Sequence, residues 1–236
     1  MVFIPISDEN PLRSIQFQWI TVSLIAANTI VFLLGTLQTE PAAVATFALI
    51  PAKLFGGSSP LPGQSVQVPE LLTLLTYQFV HGDILHLLSN MLFLWVFGDN
   101  VEDAMGHLKF LAFYLLSGVA GGLVHAGLSP NSAIPLIGAS GAVSGVIAAY
   151  LMLHPRVRVW VLAFRIIPLR VPAVVVLGVW AVTQFVMVFL APPGGSGVAW
   201  WAHIGGMGAG AILVLFLRRP GVELFDRGLQ PSAAKP

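Results

Sequence analysis

Residues 198–217 carry the sequence VAWWAHIGGMGAGAILVLFL, a run of 20 residues without a charged side chain. A helix needs about 20 mostly apolar residues to cross the hydrocarbon core of a bilayer. The run therefore predicts a membrane-spanning helix, and it also contains His203 and a face of small residues that includes Gly206 and Gly210. Because a polar side chain inside a span is costly, His203 is a candidate functional residue.

Five further segments are apolar enough to qualify or nearly qualify as spans. Together the six segments cover residues 19–37, 84–101, 109–128, 139–153, 171–191 and 198–217. The composition agrees with this pattern, since 9% of the residues are charged, 56% are hydrophobic and the mean hydropathy is +0.86, whereas a soluble domain carries about 25% charged residues. The predicted fold class is an all-α membrane protein, a bundle of six transmembrane helices.

The basic residues predict the orientation of this bundle. If six spans start from a cytoplasmic N-terminus, every one of the 11 Lys and Arg residues except Lys53 falls on the cytoplasmic side. This asymmetry follows the positive-inside rule, so we expect both termini to be cytoplasmic. Residues 1–18 are then a cytoplasmic N-terminal segment, residues 19–218 the six-span domain, and residues 219–236 a disordered cytoplasmic tail.

Charge and cysteine content exclude several classes of partner and chemistry. The net charge of +1 gives no electrostatic support for a nucleic-acid partner. The chain has no cysteine, which excludes disulfides, thiol catalysis and thiolate metal sites. The lipid bilayer is the one partner that the composition requires.

A serine lies at the predicted start of the fourth span, in the sequence Gly138-Ala139-Ser140-Gly141. The start of a helix offers unpaired N–H groups and the positive end of the helix dipole. Both suit a serine nucleophile, because its attack on a carbonyl creates an oxyanion. The alternative is helix packing, since Gly141 and Gly145 form a GxxxG pair. The two interpretations can hold together, and Ser140 is the candidate nucleophile.

His203 is the candidate base for this serine. It lies near the outer end of the sixth span, at a depth similar to that of Ser140, and a serine in a low-dielectric site needs a base to take its proton. The alternative is a buried histidine that hydrogen-bonds a carbonyl, and the matching depth of Ser140 favours the catalytic role. The acidic residues are expected in loops and tails, so the sequence predicts a Ser140–His203 dyad without a third, acidic member.

His86 and Asn90 lie near the outer end of the second span and share a helix face, because they are four residues apart. The Asn90 amide and the His86 ring N–H are donors of the kind that stabilise an oxyanion, and the alternative is hydrogen bonding between helices. A metal site is not expected, because His81 and His86 would lie on different faces of a helix and no HExxH motif is present. The remaining histidines are interpreted as structural: His107, His125 and His154.

The chain resembles the rhomboid family of intramembrane serine proteases over residues 73–217, because it carries three motifs of that family in the family's order. They are HGDILHLLSN at 81–90, GASG at 138–141 and AHIGG at 202–206. The resemblance implies an endopeptidase that cleaves transmembrane segments of other membrane proteins near their outer ends. It implies a Ser140–His203 dyad, oxyanion stabilisation by His86 and Asn90, and no cofactor. The domain at 19–218 would then be the protease domain.

Two positions depart from the family pattern. Many members carry Trp-Arg in the first long loop where this chain has Leu72-Thr73, so other residues must anchor that loop. Many members also carry an aromatic residue four positions after the nucleophile, where it stacks on the base. Ser144 stands there in this chain, so His203 must be oriented in another way.

Two other functions compete with the protease. A catalytically inactive relative would bind and escort membrane proteins, and the intact Ser140–His203 pair argues against it. A small transporter or channel is disfavoured because no inverted repeat is evident. We expect a multi-pass protein of a bacterial cell (inner) membrane, with its active site on the extracytoplasmic side and transmembrane proteins as substrates.

Overall fold

The computed structural model describes residues 3–37, 46–57, 68–164, 166–191 and 197–226, and within them the chain is mostly helical. The helices are α1 (Trp19–Thr36), α2 (Pro51–Leu54), α3 (Glu70–Thr76), α4 (Ile84–Met105), α5 (His107–Leu128), α6 (Ser140–Leu153), α7 (Ala173–Leu190) and α8 (Trp200–Leu217). A short 3₁₀ turn, Tyr77–Phe79, follows α3. The six long helices coincide with the six predicted segments to within four residues at each end.

Five of the described helices are long and apolar enough to cross a membrane: α1, α4, α5, α7 and α8. The helix α6 is apolar but has 14 residues, so it reaches about 21 Å at 1.5 Å per residue. That length is below the hydrocarbon thickness of about 30 Å. A mostly helical membrane protein is therefore confirmed, whereas the count of six spans and the side of the termini stay predictions.

The short helix α6 is the centre of the bundle. It packs against α4, α5 and α8, and Ala142, Val146 and Ile147 have no exposed surface. A helix that is apolar on all faces is stable only when it is surrounded. The residue that begins this central helix, Ser140, is therefore held by neighbours on several sides.

The structure also contains a three-stranded antiparallel sheet, which the predicted all-α fold class does not include. Its strands are β1 (Phe3–Asp8), β2 (Arg158–Ala163) and β3 (Ile167–Pro172), in the order β1-β2-β3. The strands β2 and β3 lie between α6 and α7, where the arginines of the sequence indicate only a basic loop. Buried and more exposed residues nevertheless alternate along β2, with Val159 and Val161 fully buried, and this period of two is typical of a half-buried strand.

The expectation that acidic residues are confined to loops and tails is wrong. Three of them lie in the last turns of α4: Asp99, Glu102 and Asp103. Glu102 accepts the N–H groups of Ile20 and Thr21 at 3.0 and 2.8 Å, and Asp103 accepts those of residues 13–15. The carboxylates thus bind unpaired N–H groups at and before the start of α1, which offsets the cost of burying them. They lie at the opposite end of α4 from His86.

The first part of the C-terminal tail packs against the bundle. The Arg219 N–H donates to the Ala104 carbonyl at 2.8 Å, and the Phe225 N–H donates to the Met152 carbonyl at 2.6 Å. The His154 ring is hydrogen-bonded to Asp226 at 2.7 Å. Disorder is predicted for residues 219–236, but residues 219–226 make defined contacts with the bundle. Residues 227–236 lie outside the described part of the chain.

Candidate active site

Ser140 begins α6, and the turn before it is held close to α4. Gly138 has a φ of +115°, which residues with a side chain rarely adopt. A Cβ at Gly138 would lie 2.7 Å from the His86 ring, so a larger residue would strain the backbone and displace that ring. The Gly138 N–H donates to the Tyr77 carbonyl at 3.0 Å. The turn therefore presents Ser140 at a helix N-terminus, close to the His86 ring.

Glycines let α6 and α8 cross with their backbones in contact. A Cβ at Gly206 would lie 1.9 Å from the Gly141 carbonyl oxygen, and a Cβ at Gly210 would lie 2.4 Å from the Gly145 carbonyl oxygen. Real Cβ atoms do not approach other atoms so closely, so no larger residue fits at either place. The glycine face of α8 thus lies directly against α6, the helix that begins with Ser140.

Ser140 and His203 form a hydrogen-bonded pair across this crossing. Ser140 Oγ lies 2.8 Å from Nε2 of His203. The other ring nitrogen, Nδ1, lies 2.8 Å from Oε1 of Gln184 on α7. His203 is buried, and the ring centroids of Trp180 and Trp200 each lie 6.0 Å from its own. A hydroxyl paired with a neutral imidazole can pass its proton to the ring when it attacks a carbonyl.

The candidate oxyanion donors lie one turn apart on α4. Asn90 is buried, and its Nδ2 donates to the His86 carbonyl at 2.9 Å. An amide nitrogen carries two hydrogens, so this bond leaves one for another acceptor. The His86 ring lies against Gly138, beside the turn that precedes Ser140. The structure thus brings His86 to that turn and places Asn90 one turn further along the same helix.

His81, which precedes α4, also contacts the turn before Ser140. Its Nε2 accepts the Ala139 N–H at 3.4 Å, and its ring lies 5.0 Å from the His86 ring. Burial, with a smaller contribution from His86, lowers the pKa of His81 to about 4. The ring is therefore neutral at pH 7 and able to accept a hydrogen bond.

No metal-binding cluster is found among the described residues: nowhere in them do three or more His, Asp or Glu side chains come together as a metal ion would require. His107 is paired with Glu102 and His154 with Asp226, which fits the structural roles predicted for these two histidines. The absence of a metal or cofactor from the chemistry stays a prediction.

A small cluster of apolar side chains anchors the first long loop, in place of the Trp-Arg pair of many family members. The cluster consists of Leu49, Leu74, Tyr77, Leu136 and Ala202. The Tyr77 hydroxyl donates to the Gly118 carbonyl at 2.6 Å, which ties the segment after Leu72 and Thr73 to α5. Ser144, which stands at the other departure from the family pattern, donates its hydroxyl to the Ser140 carbonyl at 2.5 Å within α6.

The fold and the site together define a helical membrane protein with a hydrogen-bonded pair of a partly buried serine and a buried histidine. A family model described as the Rhomboid domain matches residues 68–220, so the chain belongs to the rhomboid family, as its motifs predict. RHOMBOID-like protein 12, mitochondrial, from Arabidopsis thaliana is 31% identical over 163 residues, which cover 62% of this chain and 46% of that protein.

Two shorter matches differ in what their names say about activity. Rhomboid protease GluP from Bacillus subtilis is 41% identical over 78 residues, 33% of this chain and 15% of that protein. Inactive rhomboid protein 1 from Drosophila melanogaster is 37% identical over 93 residues, 39% of this chain and 6% of that protein. The chain spans less than half the length of each of these three relatives, so membership of the family does not decide whether it cleaves proteins.

The relatives correct the predicted location. Four of the most similar ones, from Arabidopsis thaliana and Saccharomyces cerevisiae, are named mitochondrial or chloroplastic. They point to an organellar membrane, and the prediction of a bacterial inner membrane is wrong. Hydropathy and the asymmetry of basic residues report that a chain spans a membrane and which side is basic. They do not report which membrane it is, and the multi-pass character is unaffected.

Gln184 is the residue at this site that the sequence prediction missed. It lies within the predicted fifth span, in the stretch VTQFV at 182–186, and is 4% exposed. The rule that a polar side chain inside a span is a functional candidate, which selects His203, applies equally to Gln184. The same rule could therefore have identified Gln184 as a candidate functional residue from the sequence alone.

Proposed function

We propose that this protein is an intramembrane serine endopeptidase that cleaves transmembrane segments of other membrane proteins. The observation that carries the proposal is the 2.8 Å contact between Ser140 Oγ and His203 Nε2, inside a bundle of apolar helices. A nucleophile within hydrogen-bond reach of a base, with the base bonded in turn to a third group, is the arrangement that nucleophilic catalysis requires. Transmembrane proteins are the proposed substrates, and no cofactor is needed for this chemistry.

In the proposed reaction, Ser140 Oγ attacks the scissile carbonyl carbon while Nε2 of His203 accepts the hydroxyl proton. The oxyanion accepts hydrogen bonds from the Ser140 backbone N–H, from Asn90 and from His86. His203 then donates its proton to the leaving amine as the C–N bond breaks, which leaves an ester on Ser140. A water molecule gives a proton to His203, attacks the ester and releases the second fragment, and the proton returns to Ser140.

The length of α6 supports a site below the membrane surface. Arg156 follows α6 closely, which places the end of the helix at the basic surface of the membrane under the positive-inside rule. From there α6 extends about 21 Å, so Ser140 would lie about 9 Å short of the opposite boundary of a hydrocarbon core of about 30 Å. We infer that α6 is the predicted fourth span, which brings the number of spans to six, and that its outer end lies within the membrane and is open to water from the side opposite the arginines.

A cleavage assay with reconstituted protein tests the proposal. Full-length protein in lipid vesicles is mixed with a labelled single-span substrate. Ser140→Ala and His203→Ala are each expected to abolish cleavage, and the double variant should be no worse than either, because the two groups act as a unit. Ser144→Ala is the matched control, since it removes a hydroxyl one turn further along α6, and it should still cleave.

A serine-reactive fluorophosphonate probe separates the protease from an inactive binding or escort protein, which one relative's name brings into consideration. The protease should be labelled at Ser140, and the label should persist in Ser144→Ala and disappear in Ser140→Ala. A folded wild-type protein that neither cleaves nor reacts with the probe would refute the proposed activity and favour the escort function.

A further inference from the structure

Gln184 is a buried amide on a helix that otherwise presents much of its surface to the outside. Its neighbours Val182 and Phe185 are 61% and 49% exposed, whereas Gln184 is 4% exposed. An amide taken out of water is destabilising unless its polar atoms are hydrogen-bonded. Both polar atoms of the Gln184 amide, Nε2 and Oε1, have hydrogen-bond partners.

The partners of Gln184 determine the orientation of its amide. Nε2 donates to the Trp180 backbone carbonyl at 2.9 Å. A carbonyl oxygen only accepts hydrogen bonds, so the amide atom that faces it must be the NH₂ group. The other end of the amide, Oε1, is therefore the atom that lies 2.8 Å from Nδ1 of His203.

This orientation in turn determines the tautomer of His203. Oε1 only accepts, so Nδ1 of His203 must carry the ring proton and donate it. In a neutral imidazole the other nitrogen is then unprotonated. That nitrogen, Nε2, is the one that lies 2.8 Å from Ser140 Oγ, so its lone pair faces the hydroxyl whose proton it must accept.

We propose that Gln184 is a positioning residue for His203, which holds the ring in the Nδ1–H tautomer and in the orientation that a general base for Ser140 requires. In serine hydrolases with a triad, a carboxylate has this position and this task. Gln184 orients the ring as that carboxylate does, but it adds no full negative charge. It also supplies the orientation that the family's aromatic residue would give at Ser144. The catalytic consequence rests on the proposed protease function, whereas the tautomer does not.

Variants of Gln184 test the catalytic consequence. Gln184→Met has a similar length and removes the acceptor, so kcat should fall about 10–100-fold, by analogy with the loss caused by removing the hydrogen-bond partner of a metal-ligating histidine. KM should change little, because the ground-state contacts with the substrate remain. Gln184→Glu keeps an acceptor oxygen and should retain more activity than Gln184→Met. Thr183→Val is the matched control, since the Thr183 hydroxyl donates to the Val179 carbonyl within α7, and the kcat of this variant should be unchanged.

Nitrogen-15 NMR of histidine-labelled protein in lipid tests the tautomer without an activity assay. The His203 signals are assigned by their loss in His203→Gln. Wild type and Thr183→Val should show a protonated Nδ1 and an unprotonated Nε2, and Gln184→Met should show a shift of population toward the Nε2–H form. An Nε2–H tautomer in wild type, or a folded Gln184→Met with a wild-type spectrum and kcat, would overturn the assignment of Gln184.

The two proposals fail in different ways. A wild-type protein with the Nδ1–H tautomer that cleaves nothing and does not react with the probe refutes the protease and leaves the positioning of His203 by Gln184 intact. A protein that cleaves and is unaffected in tautomer and kcat by Gln184→Met refutes the role of Gln184 and leaves the protease intact.

Discussion

Gly206 on α8 touches the backbone of Gly141 on α6, because a Cβ at Gly206 would lie 1.9 Å from the Gly141 carbonyl oxygen. Ser140 immediately precedes Gly141, and His203 lies one helical turn before Gly206. The glycine contact therefore sets the distance between the two helices at the depth of the proposed dyad. Small residues at helix crossings in membranes let backbones approach in this way. Here the approach also aligns two reactive side chains.

The first prediction is that Gly206→Ala separates the two helices and the dyad. A methyl group at this position must move the Gly141 carbonyl away, and a misplacement of about 1 Å can lower a rate about 100-fold. Overpacking of this kind also destabilises by about 1–3 kcal/mol. Cleavage rate and Tm in vesicles are the measurements.

Gly208→Ala is the matched control for this prediction, because no atom of the described residues lies within 4 Å of a Cβ built at Gly208 on the same helix. It should keep the wild-type rate and gain stability, since alanine is favoured over glycine in a helix by about 1 kcal/mol. A Gly206→Ala variant that cleaves at the wild-type rate would show that the glycine contact does not set the site geometry.

The second prediction concerns Asn90 as an oxyanion donor. Asn90→Ala should lower kcat by up to about 10²–10³ with KM little changed, because an oxyanion exists only after the attack of Ser140. Ser89→Ala is a close control, since Ser89 Oγ and Asn90 Nδ2 donate to the same His86 carbonyl, at 3.0 and 2.9 Å. If both variants lose the same activity, the loss comes from that carbonyl contact. A pure increase in KM would move Asn90 from catalysis to substrate contact.

The third prediction is a pH dependence of stability at Asp8, which joins β1 to α6 by accepting a hydrogen bond from the Tyr150 hydroxyl. Burial raises the pKa of Asp8 from 3.8 to about 6, although the hydrogen bond from Tyr150 partly opposes the rise. The folded state thus binds this proton more tightly than the unfolded state does. Its contribution to stability is full below about pH 4 and is lost as the pH rises through about 6.

Asp8→Asn should remove this dependence and still accept the Tyr150 hydrogen bond. Above pH 6 it should raise the free energy of unfolding by about 1–3 kcal/mol, since each unit of pKa shift corresponds to about 1.4 kcal/mol. The measurement is Tm for wild type and variant between pH 4 and pH 8. Glu9→Gln is the contrast, because Arg170 lowers the pKa of Glu9. The stability that Glu9 contributes is therefore lost as the pH falls below about 4.5. Parallel Tm curves for wild type and Asp8→Asn would contradict the prediction.

The spans and the Ser140–His203 pair could be predicted because their signals are local. An apolar run predicts a span by its length alone, and a polar residue within it stands out from its neighbours. The predicted order of the spans then puts Ser140 and His203 at a similar expected depth in the membrane. No knowledge of helix rotation is needed for that step.

The sheet and the Gln184 contact depend on tertiary structure. Phe3 pairs with Ala163, far along the chain, and sequence pattern alone does not match strands over such a separation. Gln184 reaches His203 only because of the way α7 is rotated, and that rotation is set by packing such as the contact between Trp180 and Phe93, whose centroids lie 6.1 Å apart. The sequence marks Gln184 as polar but does not say which neighbour it faces.

The last prediction is the position of the cut in the substrate. Ser140 begins α6 and His203 lies in the first turn of α8, far from Arg156, which follows the other end of α6. The scissile carbonyl must come within about 3–3.5 Å of Ser140 Oγ, and it must first leave its helix, where carbonyls are hydrogen-bonded. Small or helix-breaking residues lower the cost of unwinding, so we expect cleavage at such residues, near the end of the substrate helix on the side opposite Arg156. Mass spectrometry of the fragments would locate the bond, and a matched substrate with leucine at those positions should be cut more slowly. A cut near the arginine-rich side would contradict both the proposed topology and the proposed site.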